Sequence, residues 1–290
     1  MGVCARCGLV QQLDVPSDEA LRIYYSHHYR QDYKSAYQPQ ARHVHRAGAV
    51  ALDRLRRMAA WGVRAQGQAL IDIGAGGGEF CFMAHKSGFA AAGVEPHEGY
   101  SAFAREHYGI RIDTCGISDI PPQSADVVTM FHVLEHLAHP QQVAEKVWQV
   151  LREGGVWVVE VPNILQTDAS PHNIYFKAHL FYYSRYSLEA ATSRFFKVAH
   201  LHDDGNLFAV LIKRTEPLAQ AQLPRAEELD SARQRLAAKG WWSYLTEGGG
   251  WRRPAQRVRR WLLERQLPST SPRELLDTLY ERTPSTHTSA

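Results

Sequence analysis

Short apolar runs alternate with amphipathic stretches through the middle of the chain. The runs are Ala69–Ile73, Ala90–Val94, Ile110–Ile112, Ala125–Phe131, Val156–Val161, Lys197–Leu201 and Leu207–Ile212. Their length and apolar character predict strands. Helical spacing fits residues 78–87, 97–108 and 140–151 between the first five runs, and 187–195 before the last two. Strands alternating with helices predict an α/β fold with a doubly wound, mostly parallel sheet. The last two runs lie too close for a crossover helix, so they predict an antiparallel hairpin closing one edge. Upstream, residues 39–66 read as one amphipathic helix, with Ala47, Val50, Leu55 and Met58 near helical spacing, after a helical patch at Ser17–Tyr29. No repeat of 20–50 residues is visible. The texture divides the chain into a Cys/Tyr-rich segment (1–38), the alternating domain (39–213), a basic helical extension (214–283) and a small polar tail (284–290) expected to be disordered.

Composition narrows the function classes. With 290 residues, 44% hydrophobic and 22% charged, the chain is ordinary globular material. A formal net charge of +3 is too balanced for whole-chain nucleic-acid binding. The apolar runs are too short and interrupted to span a membrane. Met1-Gly2-Val3-Cys4 opens without a basic or long apolar stretch, which predicts no signal peptide and a cytoplasmic protein. Four cysteines do not make a disulfide scaffold.

Chemistry is expected beyond the carboxyl ends of the strands, where ligands of open α/β sheets bind. The first run leads into Asp72-Ile73-Gly74-Ala75-Gly76-Gly77-Gly78-Glu79. Glycines at 74, 76 and 78 allow a sharp turn and close approach of backbone to a ligand, ahead of a helix N-terminus. By itself this could be only a tight strand-to-helix turn. Asp72 near the end of an apolar strand, and Glu95 at the end of the next in Val94-Glu95-Pro96, argue for a ligand, since an acid there can accept both hydroxyls of a ribose. The dinucleotide fingerprint wants Gly where Glu79 stands, and a carboxylate sits badly beside a diphosphate.

With these residues the sequence resembles the class I S-adenosylmethionine-dependent methyltransferases. The resemblance continues in Asp126-Val127-Val128-Thr129-Met130-Phe131-His132-Val133-Leu134-Glu135-His136-Leu137, similar to the family's fourth-strand motif. Leu151-Arg152-Glu153-Gly154-Gly155-Val156-Trp157 is similar to the turn before its fifth strand. The resemblance covers about residues 67–213. It implies a Rossmann-like sheet of seven strands with the last antiparallel, and S-adenosylmethionine as cofactor. It also implies cofactor contacts at Asp72, Gly74, Ala75, Gly76, Glu95, Pro96, Phe131, His132 and His136, with Tyr33 contributed by an aromatic N-terminal segment. Where many relatives carry an acid for the adenine amine, this chain reads Thr114-Cys115-Gly116-Ile117-Ser118-Asp119, leaving Asp119 or the backbone near Ile117 to make that contact.

His132, His136 and His139 with Glu135 have spacing that tempts a metal reading, but the order is not the His-Glu-x-x-His zinc pattern, and the expectation is pocket lining with no metal. After the fifth run, Lys177-Ala178-His179-Leu180-Phe181-Tyr182-Tyr183-Ser184 resembles a His-rich loop of sugar-methylating relatives, in which a catalytic histidine falls at His179. Lys177 and Ala178 depart from that pattern. An imidazole near neutral pKa can also take the proton of a hydroxyl acceptor; the competing reading is a loop-capping histidine among Phe181 and Tyr182.

Cys4-Ala5-Arg6-Cys7-Gly8-Leu9-Val10 has zinc-knuckle spacing without a second pair, and resembles a four-cysteine ribbon met halfway. Residues 251–265 place six arginines against Glu264 among Trp251, Val258, Trp261 and Leu262. That helix either packs its apolar stripe on the body or touches an anionic membrane or acidic partner. The function expected is methyl transfer to a hydroxyl, or a carbon, of a sugar or a nucleotide- or lipid-linked sugar. The rivals are a cofactor-binding, non-catalytic partner protein and a nicotinamide oxidoreductase. Nucleic acid is not an expected partner, because no Asn-Pro-Pro-Tyr-like segment follows strand four.

Overall fold

The computed structural model of the protein describes residues 1–24, 39–265 and 270–283. The strands are β1 (Gly2–Val3), β2 (Val10–Gln11), β3 (Ala69–Ile73), β4 (Ala90–Val94), β5 (Ile112–Asp113), β6 (Ala125–Phe131), β7 (Leu151–Val161), β8 (Phe181–Tyr182), β9 (Phe196–His202) and β10 (Leu207–Lys213). Seven of them form one sheet in the order β5-β4-β3-β6-β7-β10-β9. β3 pairs in parallel with β4 and β6, and β4 with β5. β10 is antiparallel to β9 and to β7, so the expected Rossmann-like sheet with a reversed last strand is present. The chain clusters into two compact units, one of 1–16, 131–148 and 158–265, the other of the described residues of 17–130, 149–157 and 266–290.

In the second unit, the helix Ala41–Ala60 buries Val44, Gly48, Ala51, Leu52, Leu55 and Met58. These positions recur at helical spacing, and each fully buried large side chain contributes about 1.5–3 kcal/mol relative to exposure. Val50, expected on that face, is exposed: it lies on the opposite side of the helix from Leu52 and Leu55. A Cβ on Gly48 would collide with Leu276, so the glycine sets how closely the helix Pro272–Glu281 approaches. Lys86 forms an ion pair with Asp277, and the Tyr280 hydroxyl donates to the Lys86 carbonyl at 3.0 Å.

β7 begins at Leu151, where a turn had been expected up to Val156. The helix Pro140–Val150 runs into the strand without a loop, and Gly154, at φ 70°, is absorbed inside it.

In the first unit, β1, β2 and β8 make a small antiparallel sheet, with Val10 opposite Tyr182 and Gln11 opposite Phe181. The cysteine-bearing hairpin at the start of the chain is thereby paired to the histidine-rich segment. Val10, Ile164, Leu165, Tyr182 and Ala232 form its core.

Candidate functional site

The glycine loop lies in the second unit. Gly74 N–H and Ala75 N–H both donate to the Val94 carbonyl, at 2.9 and 3.0 Å, wrapping the loop onto the end of β4. Gly74, Gly76 and Gly78 take φ of 74°, 56° and 82°, the left-handed region that favours glycine. Gly78 also caps the helix Glu79–Lys86, and a Cβ there would stand 2.6 Å from that of Ala104. Glu95 is buried, 3% exposed, and its carboxylate accepts from Gly76 N–H at 2.9 Å and His97 N–H at 3.2 Å. Carboxylate oxygens each offer two lone pairs, so a ribose diol can add to this arrangement. The bare turn at 74–78, the Glu95 carboxylate beside it and the partly buried Pro96 after it fit a nucleoside cofactor.

Asp72 is 4% exposed and sits opposite Thr129 in the β3–β6 pairing, whose hydroxyl donates to it at 2.6 Å. Burial pushes its carboxyl up to about 7, against the Thr129 hydrogen bond and the more distant Arg54 charge. The Thr129 hydrogen bond therefore offsets only part of the cost of burying this acid. Ile117 opens the short turn Ile117–Asp119, and the Asp119 carboxylate accepts from Gly116 N–H at 3.0 Å, closing its own turn. Tyr33, with Tyr29 and Tyr37, lies outside the described residues.

The second constellation lies in the first unit. Phe131 stacks on Phe208, with ring centroids 6.2 Å apart. His132 has φ 56°, a strained conformation costing about 1 kcal/mol; its N–H is held by the Glu160 carbonyl at 2.8 Å. The imidazole lies 3.4 Å from Glu135 and 3.6 Å from Glu160. Burial alone would lower His132, but these two carboxylates outweigh it and raise it to about 9. The Asn206 amide, in the β9–β10 turn, donates to Glu160 at 2.8 Å.

Glu135 is fully buried in the turn Leu134–His136. Burial opposes its charge, yet the surrounding histidines, His132 first, hold its carboxyl below the ordinary value. His136 engages the Ala178 carbonyl through Nδ1 at 2.9 Å, and its ring meets that of His179 edge to face at 4.7 Å. His179 Nε2 stands 3.9 Å from Glu135 Oε1. Burial lowers His179 to about 4 despite Glu135, so the ring is neutral but a weaker base than the near-neutral imidazole expected from the sequence. Its aromatic neighbours are Phe176 and Tyr182. Among the described residues, Glu135, His136 and His179 are the group whose ligating atoms come together. His139 is outside it: its carbonyl starts the helix Pro140–Val150 by accepting from Val143 N–H.

Sequence reasoning missed Gln12. Its side-chain amide donates to the carbonyls of Lys177 and His179 at 2.9 and 2.8 Å, and its N–H donates to Leu180 O. Glu160 and Asn206 were missed as partners of His132. Among the described residues no third metal-capable side chain joins Cys4 and Cys7, both free thiols. In the basic helix Arg253–Arg265, Val258, Trp261 and Leu262 are exposed, as is Trp251 before it. The apolar stripe is therefore not packed on the body. No helix among the described residues is long and apolar enough to cross a membrane.

The chain matches the methyltransferase-domain family over residues 41–201, more than half its length, and belongs to that family. It is thus of the class of methyltransferases that use S-adenosylmethionine as cofactor. A curated relative from Mycolicibacterium smegmatis, named "Probable S-adenosylmethionine-dependent methyltransferase", is 31% identical over 103 residues, covering 34% of this chain and 40% of that protein. A crystal structure of an S-adenosylmethionine-dependent methyltransferase from Mesorhizobium loti is similar with a TM-score of 0.48 at 17% identity, over 55% of this chain and 96% of the other. One from Aquifex aeolicus has a TM-score of 0.47 at 13% identity, over 56% and 90%.

Proposed function

We propose that the protein transfers the methyl group of S-adenosylmethionine to a hydroxyl of a small biosynthetic intermediate, a sugar or a nucleotide- or lipid-linked sugar. The observation that carries this reading is the placement of His179, 16% exposed at its side chain, beside buried Glu135 and His136 on the segment that follows β7. When bound, the cofactor supplies an electrophilic methyl on a sulfonium. The chain's own tasks are then to hold two ligands and to manage one proton.

Gly74, Ala75 and Gly76 give the methionine end a turn without side-chain bulk, and Asp72 fixes the strand end beneath it. Glu95 accepts the ribose hydroxyls, with Pro96 turning the chain after it. With Asp119 used on its own turn, the backbone at Ile117 is assigned the adenine contact. Phe131, His132 and His136 keep the cofactor-contact role that the family resemblance implies, as does Tyr33. His179 accepts the proton of the acceptor hydroxyl as the oxygen–methyl bond forms. The exposed Trp251, Val258, Trp261 and Leu262 among arginines support contact with an anionic surface, which suits a lipid-linked acceptor.

The test is a screen of nucleotide sugars for S-adenosylhomocysteine production. The expected result is turnover on at least one acceptor that falls by about 10²–10⁴ in His179→Ala, with S-adenosylhomocysteine affinity unchanged. Undiminished turnover in that variant refutes the base. Cofactor binding with no turnover on any acceptor favours the non-catalytic alternative.

A further inference from the structure

Glu135 poses a problem that methyl transfer does not solve. Its side chain is fully buried, and neither carboxylate oxygen has a hydrogen-bond partner. The nearest imidazole nitrogens stand at 3.4 Å on His132, whose charge compensates part of the carboxylate's, and at 3.9 Å on His179. An ionised carboxylate out of water needs close compensation, and hydrogen bonds or a metal are the usual means.

The surroundings supply the rest of a ligand set. One ligating atom from each of Glu135, His136 and His179 lies within 4.8 Å of the others. Ligand atoms around a tetrahedral cation with bonds near 2.1 Å stand about 3.4 Å apart, so modest side-chain adjustment closes the set. His136 already binds the Ala178 carbonyl through Nδ1 at 2.9 Å. An outer hydrogen bond of this kind is what orients the ring in established imidazole–metal sites. Backbone ties lock the two segments together: Leu180 N–H donates to the Glu135 carbonyl at 2.8 Å, and Gln12 holds the carbonyls of Lys177 and His179.

We infer that Glu135, His136 and His179 bind one divalent transition-metal cation of the zinc type. Two imidazoles and one carboxylate suit zinc, iron or manganese, whereas magnesium and calcium prefer all-oxygen shells. Three protein ligands leave a position for water or an acceptor oxygen. A seated cation would occupy the His179 nitrogen, so an imidazole holding metal cannot also take a substrate proton. The inference does not rest on the methyl-transfer reading, because binding is measured without cofactor or acceptor.

The experiment is calorimetric titration of the chelator-treated full chain with Zn²⁺, repeated with Co²⁺ and followed by absorbance. One Zn²⁺ per chain at micromolar or tighter affinity is expected, with Co²⁺ developing visible bands. His179→Ala and Glu135→Gln should each weaken Zn²⁺ at least about tenfold, while Cys4→Ser/Cys7→Ser leaves it unchanged. His179→Ala removes a partly exposed ring, so it remains informative if Glu135→Gln does not fold. Absence of stoichiometric binding to the wild type overturns the inference. So does binding that survives His179→Ala, or binding lost only with the two cysteines.

Discussion

The glycine loop and the histidine–glutamate cluster are built in opposite ways. The loop draws on near neighbours: only 19 positions separate Gly76 from Glu95, and its work is done by backbone N–H groups and left-handed glycines. The cluster draws on distant segments: 42 positions separate His136 from Ala178, 74 separate His132 from Asn206, and 167 separate Gln12 from His179. A backbone-made site is written in local spacing. A side-chain-made site exists only once topology has brought its segments together. The two should therefore respond independently to substitution.

The largest separation concerns Asp72. Its folded-state value near 7 lies above the ordinary 3.8 because burial disfavours the charge. The stabilisation from its protonation is complete below about 4 and is lost as pH rises through about 7. The difference over that window is at most about 4 kcal/mol. Thermal unfolding of ligand-free wild type should weaken from pH 4 to 7.5, and Asp72→Asn should flatten that dependence. An unchanged slope in the variant would show that Asp72 does not titrate there.

Next, Glu95→Ala should weaken S-adenosylhomocysteine binding about 10–100-fold by calorimetry, as expected for losing hydrogen bonds to a charged acceptor. Zn²⁺ affinity should stay at the wild-type value. Loss of both together would mean that the two regions are not independent.

These expectations rest on unequal legibility. β3, β4 and β6 begin and end where their apolar runs do, because partly to fully buried strands leave a largely hydrophobic signature. The antiparallel hairpin followed from the short connection between Leu201 and Leu207. β7 was shortened because Gly154 and Gly155 look like a turn, although a β-strand can contain a positive-φ glycine where its edge is irregular. Val50 shows that apolar residues on an exposed helix face dilute a periodicity count. Glu135 and His136 stand out with His132 and His139, whose spacing reads as pocket lining and not as a metal site. His179 stands out in its own loop, but it arrives from beyond β7, and nothing local says that it meets Glu135 and His136. Gln12 carried no signal at all, since a glutamine beside a cysteine pair reads as surface.

The smallest effect tests that last residue. Gln12→Ala removes two hydrogen bonds that position the carbonyls of Lys177 and His179, each worth about 0.5–1.5 kcal/mol. Turnover should drop several-fold, with cofactor affinity intact. A loss confined to cofactor affinity would place Gln12 with the glycine loop instead.

The central claim is that the glycine loop and Glu95 hold S-adenosylmethionine and not a dinucleotide. Calorimetric titration of the purified full chain with S-adenosylhomocysteine, with NAD in parallel, tests it most directly. Micromolar binding of S-adenosylhomocysteine and none of NAD is the predicted result. Binding of NAD, or of neither ligand, would contradict it.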